Sequence, residues 1–338
     1  MAEPEAMPPT RRRGRRTRGR LLAAIAWLVL GVAFEILASI PIQLLKLDWN
    51  LSIELAVAVF MAVGVCVLGA RRYLRPSAAA FREVWHLGWP IIGTSVALTL
   101  LQLVGYVQDG TRISSNWLPM TLYYVAFCLS IGVYEECCVR GVLQMGLLSR
   151  LGGSRRGMAV AITLAAVFFG CLHIDWTSLD YHSALQVAQA VLKVGQTGVY
   201  GAVLSVAVLR SQNLTGAILF HALDDFSVMV VPYALYGEAL TTNYVSSGRA
   251  DAIYSIVMYA TLIVLYLPSL VRSIREARRL PMPQRGGFVR EKDDRPGSEP
   301  PMPAGLDVPA TADGPRHAAW MQLDETAGSG TNDPWGGL

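Results

Sequence analysis

Long apolar runs recur along most of this chain, and each is about as long as a bilayer is thick. A transmembrane helix needs about 20 residues. Eight runs meet this length, at residues 21–45, 51–70, 86–107, 119–148, 157–175, 183–209, 213–235 and 252–271. Charged residues make up only 16% of the chain, against about 25% in soluble domains. The sequence therefore predicts an all-α polytopic membrane protein with about eight transmembrane helices.

The basic residues beside these runs predict the orientation of the protein. Most of them lie on the side of the two termini, whereas the opposite side has only Lys46, Arg112 and Arg249. Because cytoplasmic loops are enriched in Lys and Arg, we expect a multi-pass protein of the cell membrane with both termini cytoplasmic. The arginine-rich N-terminus is interpreted as an anchor that binds anionic membrane lipid; no nucleic-acid partner is expected.

Three regions follow from composition. Residues 1–20 are predicted to be a basic cytoplasmic tail, and residues 21–275 the transmembrane domain. Residues 276–338 are rich in Pro, Gly and charge and poor in aliphatic side chains. A segment of this kind cannot bury a core, so a disordered cytoplasmic tail is predicted there.

Ionisable residues inside the apolar runs suggest a function. A charge near the bilayer centre costs several kcal/mol, roughly 2.5–3.5 on insertion scales. Three segments nevertheless carry such residues, at 134–141, 168–173 and 220–225. The residues are Glu135, Glu136, Arg140, His173, His221 and Asp225. Together they provide the groups that hydrolysis requires, predicted here on helices 4, 5 and 7.

Glu135 and Glu136 are neighbours on the predicted fourth helix, so their side chains point about 100° apart. We therefore expect them to have different roles. Glu136 and Arg140 are four residues apart with Glu first, which favours an ion pair. Glu135 is then free to face a cavity, where a carboxylate suits a general base. The alternative is that both acids serve only helix packing or ion pairing.

Two histidines complete the pattern. Phe169 lies one helical turn before His173, on the same face; His173 could alternatively be an interfacial residue near a helix end. His221 and Asp225 also share a face, and Asp224 could replace Asp225 as the partner. A carboxylate partner fixes the imidazole tautomer. The alternative is a buried His–Asp pair that only satisfies itself.

A polar stripe runs along the predicted sixth helix. Its members are spaced three and four apart: Gln186, Gln189, Lys193 and Gln196. One interpretation is hydrogen bonding between helices. The other is that the stripe lines a water-filled cavity, in which Lys193 counters the charge of Asp225 or Asp224.

The three polar motifs resemble those of a known family. E-E-x-x-x-R at 135–140, F-x-x-x-H at 169–173 and H-x-x-x-N/D at 221–225 are similar to the motifs of the CPBP intramembrane proteases. That family includes the CAAX prenyl endopeptidases and the bacterial Abi or bacteriocin-immunity proteins. The resemblance covers roughly residues 119–235, the motif-bearing core.

The resemblance implies an intramembrane endopeptidase that acts on a peptide or membrane protein, possibly lipidated. Glu135 would activate water, and His173 would help to hold the water or the tetrahedral intermediate. His221 and residue 225 would form the oxyanion site. The prenyl-processing members have Asn at the last position, where this chain has Asp225. An amide donates a hydrogen bond, but an ionised carboxylate cannot, so Asp225 must be protonated or must orient His221.

Two other functions stay open at this point. Glu135, His173, His221 and Asp225 are ligand types of catalytic zinc sites, which gives a zinc-dependent protease as an alternative. Zincins, however, place two His one turn apart on one helix, so no cofactor is expected. Buried His, Glu and Asp also form proton relays. The other alternative is therefore a non-proteolytic scaffold or proton-coupled carrier.

Overall fold

The computed structural model describes residues 9–241 and 243–288 of the chain. Over these residues the secondary structure is helical, with no strand. The long helices are α1 Pro9–Leu44, α2 Trp49–Val67, α3 Ala78–Gln108, α4 Trp117–Leu151, α5 Arg155–Cys171, α6 Ala184–Ser211, α7 Thr215–Leu235 and α8 Arg249–Arg279. A short 3-10 helix, Arg71–Leu74, lies between α2 and α3.

Seven helices in the described part of the chain are long and apolar enough to cross a membrane. The remaining one, α5, has 17 residues. A span was predicted over 157–175, but the helix ends at Cys171. In the turn that follows, Asp175 accepts hydrogen bonds from the N–H groups of Thr177 and Ser178, a pattern that favours a turn over a helix. The prediction of an all-α polytopic membrane protein is confirmed, with α5 shorter than expected.

Capping side chains determine where four helices begin. Each accepts a hydrogen bond from the backbone N–H three residues further on, at 2.8–3.4 Å. The four residues are Asp48, Ser77, Ser154 and Ser183. Such a cap satisfies one of the N–H groups that have no partner within the helix. Because Ser77 caps α3, this helix begins well before the apolar run predicted at 86–107.

Two of the helices contain π-helical segments. In α4 the segment is Cys137–Gln144, directly after the two glutamates. In α7 it is Val230–Leu235, shortly after Asp225. A π-helix closes its hydrogen bonds over five residues instead of four, and such segments are frequent at functional sites. Both segments thus adjoin the polar motifs.

The helices α4, α6 and α7 pack closely where the polar motifs lie. A Cβ atom built on Gly132 of α4 would lie 2.7 Å from the carbonyl oxygen of Ile218 on α7, so this approach requires glycine. Val139 of α4, Leu204 of α6 and Phe220 of α7 are fully buried in one core. Close packing of this kind transmits strain and allows little movement, so the polar side chains are held in a rigid frame.

Ordered structure continues past residue 275, where the sequence placed the end of the transmembrane domain. Helix α8 continues to Arg279. The next residues pack on the bundle: the N–H of Gln284 donates to the Gly152 carbonyl at 2.8 Å, and Phe288 is buried. The rest of the predicted C-terminal tail, 289–338, lies outside the described residues, as do residues 1–8. The cytoplasmic location of both termini stays a prediction.

Candidate active site

The predicted ion pair between Glu136 and Arg140 is present. Arg140 Nη1 lies 2.8 Å from Glu136 Oε1, and both side chains are 0% exposed. Arg140 Nη2 also donates to the Gly201 carbonyl at 3.1 Å, and the guanidinium carbon lies 4.3 Å from the ring centroid of Phe169. A buried charge is tolerated when it is paired and hydrogen-bonded. Helices α4, α5 and α6 all contribute to this site around Arg140.

His221 lies between carboxylates on both of its edges. Its Nδ1 atom is 2.9 Å from Glu136 Oε1. Its Nε2 atom is 3.3 Å from Glu135 Oε2 and 3.6 Å from Asp225 Oδ2. The two glutamates were expected to point about 100° apart on the helix, whereas the structure brings both to one imidazole. Glu136 contacts Nδ1 and Glu135 contacts Nε2, so the two side chains still point in different directions although both reach His221.

These contacts determine where protons must lie. An ionised carboxylate only accepts hydrogen bonds, so the Nδ1 atom beside the ion-paired Glu136 carries a hydrogen. Nε2 faces the carboxylates of Glu135 and Asp225. A proton on Nε2 or on one of these acids would relieve the repulsion between acceptors at this edge of the ring.

Glu135 and Asp225 are the more accessible members of this cluster. Their side chains are 17% and 21% exposed, against 5% for His221. Glu135 Oε2 accepts no hydrogen bond from the described residues. This oxygen is itself buried, although the side chain is partly exposed. A carboxylate with this spare acceptor capacity can receive a proton from a bound water.

Asp224 points to a different neighbour. Its Oδ1 atom accepts a hydrogen bond from the Ser95 hydroxyl of α3 at 2.7 Å. Asp225, rather than Asp224, is therefore the carboxylate beside His221.

Among the residues that the structure describes, His173 contacts the cluster through Phe169. Its Nδ1 atom lies 3.0 Å from the Phe169 carbonyl oxygen, and the two ring centroids are 4.9 Å apart. Phe169 also makes an edge contact with His221 at 5.8 Å between centroids. The resemblance implies that His173 helps to hold the water that Glu135 activates. Because α5 stops at Cys171, the contact of His173 with the cluster is indirect.

The polar stripe of α6 holds the α7–α8 loop in place. Gln189 and Ser246 exchange two hydrogen bonds, of 3.0 and 2.9 Å. Lys193 Nζ lies 4.0 Å from the Tyr244 ring centroid and 3.3 Å from Gln196 Oε1. Burial raises the pKa of the Tyr244 hydroxyl, so its ring meets the ammonium as a neutral phenol. No carboxylate of the described residues lies within ion-pair distance of Lys193, whose interaction with the site acids acts over a longer range.

Sequence reasoning missed two residues of this region. Glu54 of α2 is close enough to interact electrostatically with Glu135 and Asp225. A lone carboxylate inside the predicted span 51–70 was the signal that could have found it. Tyr200 of α6 has its ring centroid 5.3 Å from that of His221. A single tyrosine in an apolar helix carries no comparable signal.

The four residues with zinc-ligand chemistry do not converge on one point among the described residues. Such a site has three or four protein ligands around one point. Within the described part of the chain, no group of three or more His, Cys, Asp and Glu side chains could hold a metal ion. His173 is separated from the cluster by the Phe169 ring.

The candidate active site lies in a segment of the chain that matches a known protein family. Residues 115–227 match the family described as type II CAAX prenyl endopeptidase Rce1-like. All three polar motifs fall inside this range. No curated protein and no solved structure matches the chain. Over residues 115–227 the chain is therefore similar to the CPBP family of CAAX-type proteases, the family that its three motifs resemble.

Proposed function

We propose that this protein is an intramembrane endopeptidase that hydrolyses a peptide bond with a water molecule activated by Glu135. The observation that carries the proposal is the contact of the partly exposed Glu135 side chain with His221, 3.3 Å away. The other edge of the same ring is held by the buried pair of Glu136 and Arg140. The match of residues 115–227 to a peptidase family supports the same reaction class.

In the proposed reaction, Glu135 takes a proton from water as the water oxygen attacks the substrate carbonyl carbon. Negative charge then develops on the carbonyl oxygen, where a positioned donor stabilises it most. The Nε2–H of His221 is suited to this role because Glu136 fixes the ring through Nδ1. When the C–N bond breaks, Glu135 returns the proton to the leaving nitrogen. The products are a free carboxylic acid and a free amine.

The proposed substrate is a peptide or membrane protein with a cleavage site at membrane depth. A CAAX-type substrate, with its prenylated cysteine near the C-terminus, agrees with the matched family. Asp225 provides an acceptor at 3.6 Å from His221 Nε2, so we assign it to orienting the ring.

The test is cleavage of a peptide library by the purified protein in lipid nanodiscs. The library contains matched peptides with and without a prenylated cysteine, and products are identified by mass spectrometry. We expect cleavage by the wild-type protein and none above background by Glu135→Gln. Equal cleavage by both proteins, or by neither, would overturn the proposal.

Two substitutions of Asp225 should differ in effect. Asp225→Asn keeps an acceptor for one ring nitrogen and adds an NH₂ donor, so we expect a rate within about tenfold of wild type. Asp225→Ala removes the orienting contact, and losing one oxyanion donor costs roughly 10²–10³ in rate. The measurement is kcat for both variants in one preparation. Equal and severe losses would contradict the orienting role and favour a proton carrier or a metal ligand.

Activity should survive exhaustive chelation. If a carboxylate alone activates the water, then EDTA and phenanthroline should leave the rate within about twofold, because no Lewis acid takes part. The measurement is the cleavage rate before and after dialysis against each chelator. The geometric isomer 1,7-phenanthroline, which chelates poorly, is the control. If chelation abolished cleavage and added zinc restored it, the mechanism would be metal catalysis instead.

A further inference from the structure

Tyr200 presents a buried hydroxyl with no hydrogen-bond partner beside the candidate active site. The side chain is 4% exposed, and its hydroxyl oxygen bonds to no group of the described residues. Its ring meets the ring of His221 nearly edge-on, with centroids 5.3 Å apart. Buried polar groups are nearly always hydrogen-bonded, so one without a partner calls for an explanation.

Acidic side chains lie around this hydroxyl. It is close enough to Asp224, Asp225 and Glu136 to interact with them electrostatically, and its ring contacts that of His221. A phenol hydroxyl can donate a hydrogen bond, whereas an ionised carboxylate cannot. Tyr200 therefore adds a neutral donor to a cluster that otherwise consists mostly of acceptors.

Other donors near the cluster are committed elsewhere. Arg140 is bonded to Glu136 and to the Gly201 carbonyl. Lys193 is held against Tyr244 in the α7–α8 loop. The acid at position 225 supplies no N–H group. An oxyanion formed in this site thus has the Nε2–H of His221 and needs a second donor, since oxyanion sites gain from several aimed donors.

We propose that the Tyr200 hydroxyl donates a hydrogen bond to the carbonyl oxygen of the substrate as it becomes an oxyanion. This inference rests on the proposed function and adds a catalytic residue to it. The hydroxyl would have no partner in the resting protein and would gain one in the transition state. An interaction made only in the transition state raises kcat and leaves KM unchanged.

The test compares Tyr200→Phe with Tyr124→Phe. Tyr124 is also 4% exposed but belongs to a separate cluster with Phe127 and Ala234. For Tyr200→Phe we expect kcat to fall roughly 10²–10³-fold with KM unchanged. Its inhibition constant for a trifluoromethyl ketone analogue, whose hydrate mimics the tetrahedral intermediate, should rise by the same factor. Tyr124→Phe should match wild type in all three measurements.

A structural role is tested separately. Removing an unpartnered buried hydroxyl should leave the melting temperature unchanged or higher. Introducing 4-aminophenylalanine at position 200 returns a hydrogen-bond donor to the same place. Its kcat should be at least about tenfold higher than that of Tyr200→Phe. Wild-type kcat in Tyr200→Phe, or no recovery with the amine, would overturn this inference alone. Failure of the wild-type protein to cleave any peptide would overturn the proposed function and this inference with it.

Discussion

Replacing Glu135 with Gln is expected to lower the rate of peptide hydrolysis by about 10²–10⁴ while the protein stays folded. The amide keeps the shape of the side chain but cannot take the proton of the attacking water. The amide can also occupy the same place beside His221 Nε2, which lies 3.3 Å from Glu135 Oε2. The measurement is the single-turnover cleavage rate in nanodiscs, together with the melting temperature of the same sample.

Glu35→Gln is the matched control for this substitution. Glu35 lies on α1 and is exposed on the outside of the bundle. The change is chemically identical, so its rate should equal that of wild type. If Glu135→Gln stayed active and Glu136→Gln were folded but inactive, the roles of the two neighbouring acids would be reversed.

Replacing Arg140 with Met is expected to destabilise the protein by about 3–5 kcal/mol. Arg140 and Glu136 are both 0% exposed and 2.8 Å apart. Without the guanidinium, the charge of Glu136 stays buried and uncompensated. The large loss of stability follows from this stranded charge. Equilibrium unfolding in SDS–detergent mixtures, followed by tryptophan fluorescence, measures the change.

Two further variants separate charge from packing. In the double variant Arg140→Met with Glu136→Gln, no charge is stranded, so most of the lost stability should return. The neutral amide can also still accept from Nδ1 of His221. Arg156→Met, which removes an exposed arginine, should change stability by less than about 0.5 kcal/mol. A double variant as unstable as Arg140→Met alone would show that packing against Phe169 dominates.

The features that could be predicted from the sequence are those that depend on residues close together along the chain. Apolar runs of sufficient length identified the long helices, because the bilayer sets that length. The spacing of Glu136 and Arg140 identified their ion pair, because residues four apart on a helix are neighbours. The same rule placed Asp225 beside His221, now found at 3.6 Å.

Contacts between helices could not be predicted in this way. The joining of Glu135 and Glu136 by His221 depends on the close approach of α4 and α7 at Gly132. The indirect placement of His173 depends on where α5 ends, which the turn around Asp175 decides. The docking of the α7–α8 loop by Lys193 depends on a distant aromatic ring. Each of these contacts depends on how the helices and loops pack in three dimensions. The spacing of residues along one helix does not determine that packing.

The π-helical segment Cys137–Gln144 has a consequence for comparing this chain with its relatives. A π turn accommodates more residues than an α turn, so the two ends of α4 are out of phase with one continuous α-helix. A relative with a regular helix here would have one residue fewer between its acidic pair and the end of the helix. An alignment that forbids gaps inside helices would then match lipid-facing positions to buried ones beyond this segment. A one-residue gap placed within 137–144 keeps both faces of the helix in correspondence.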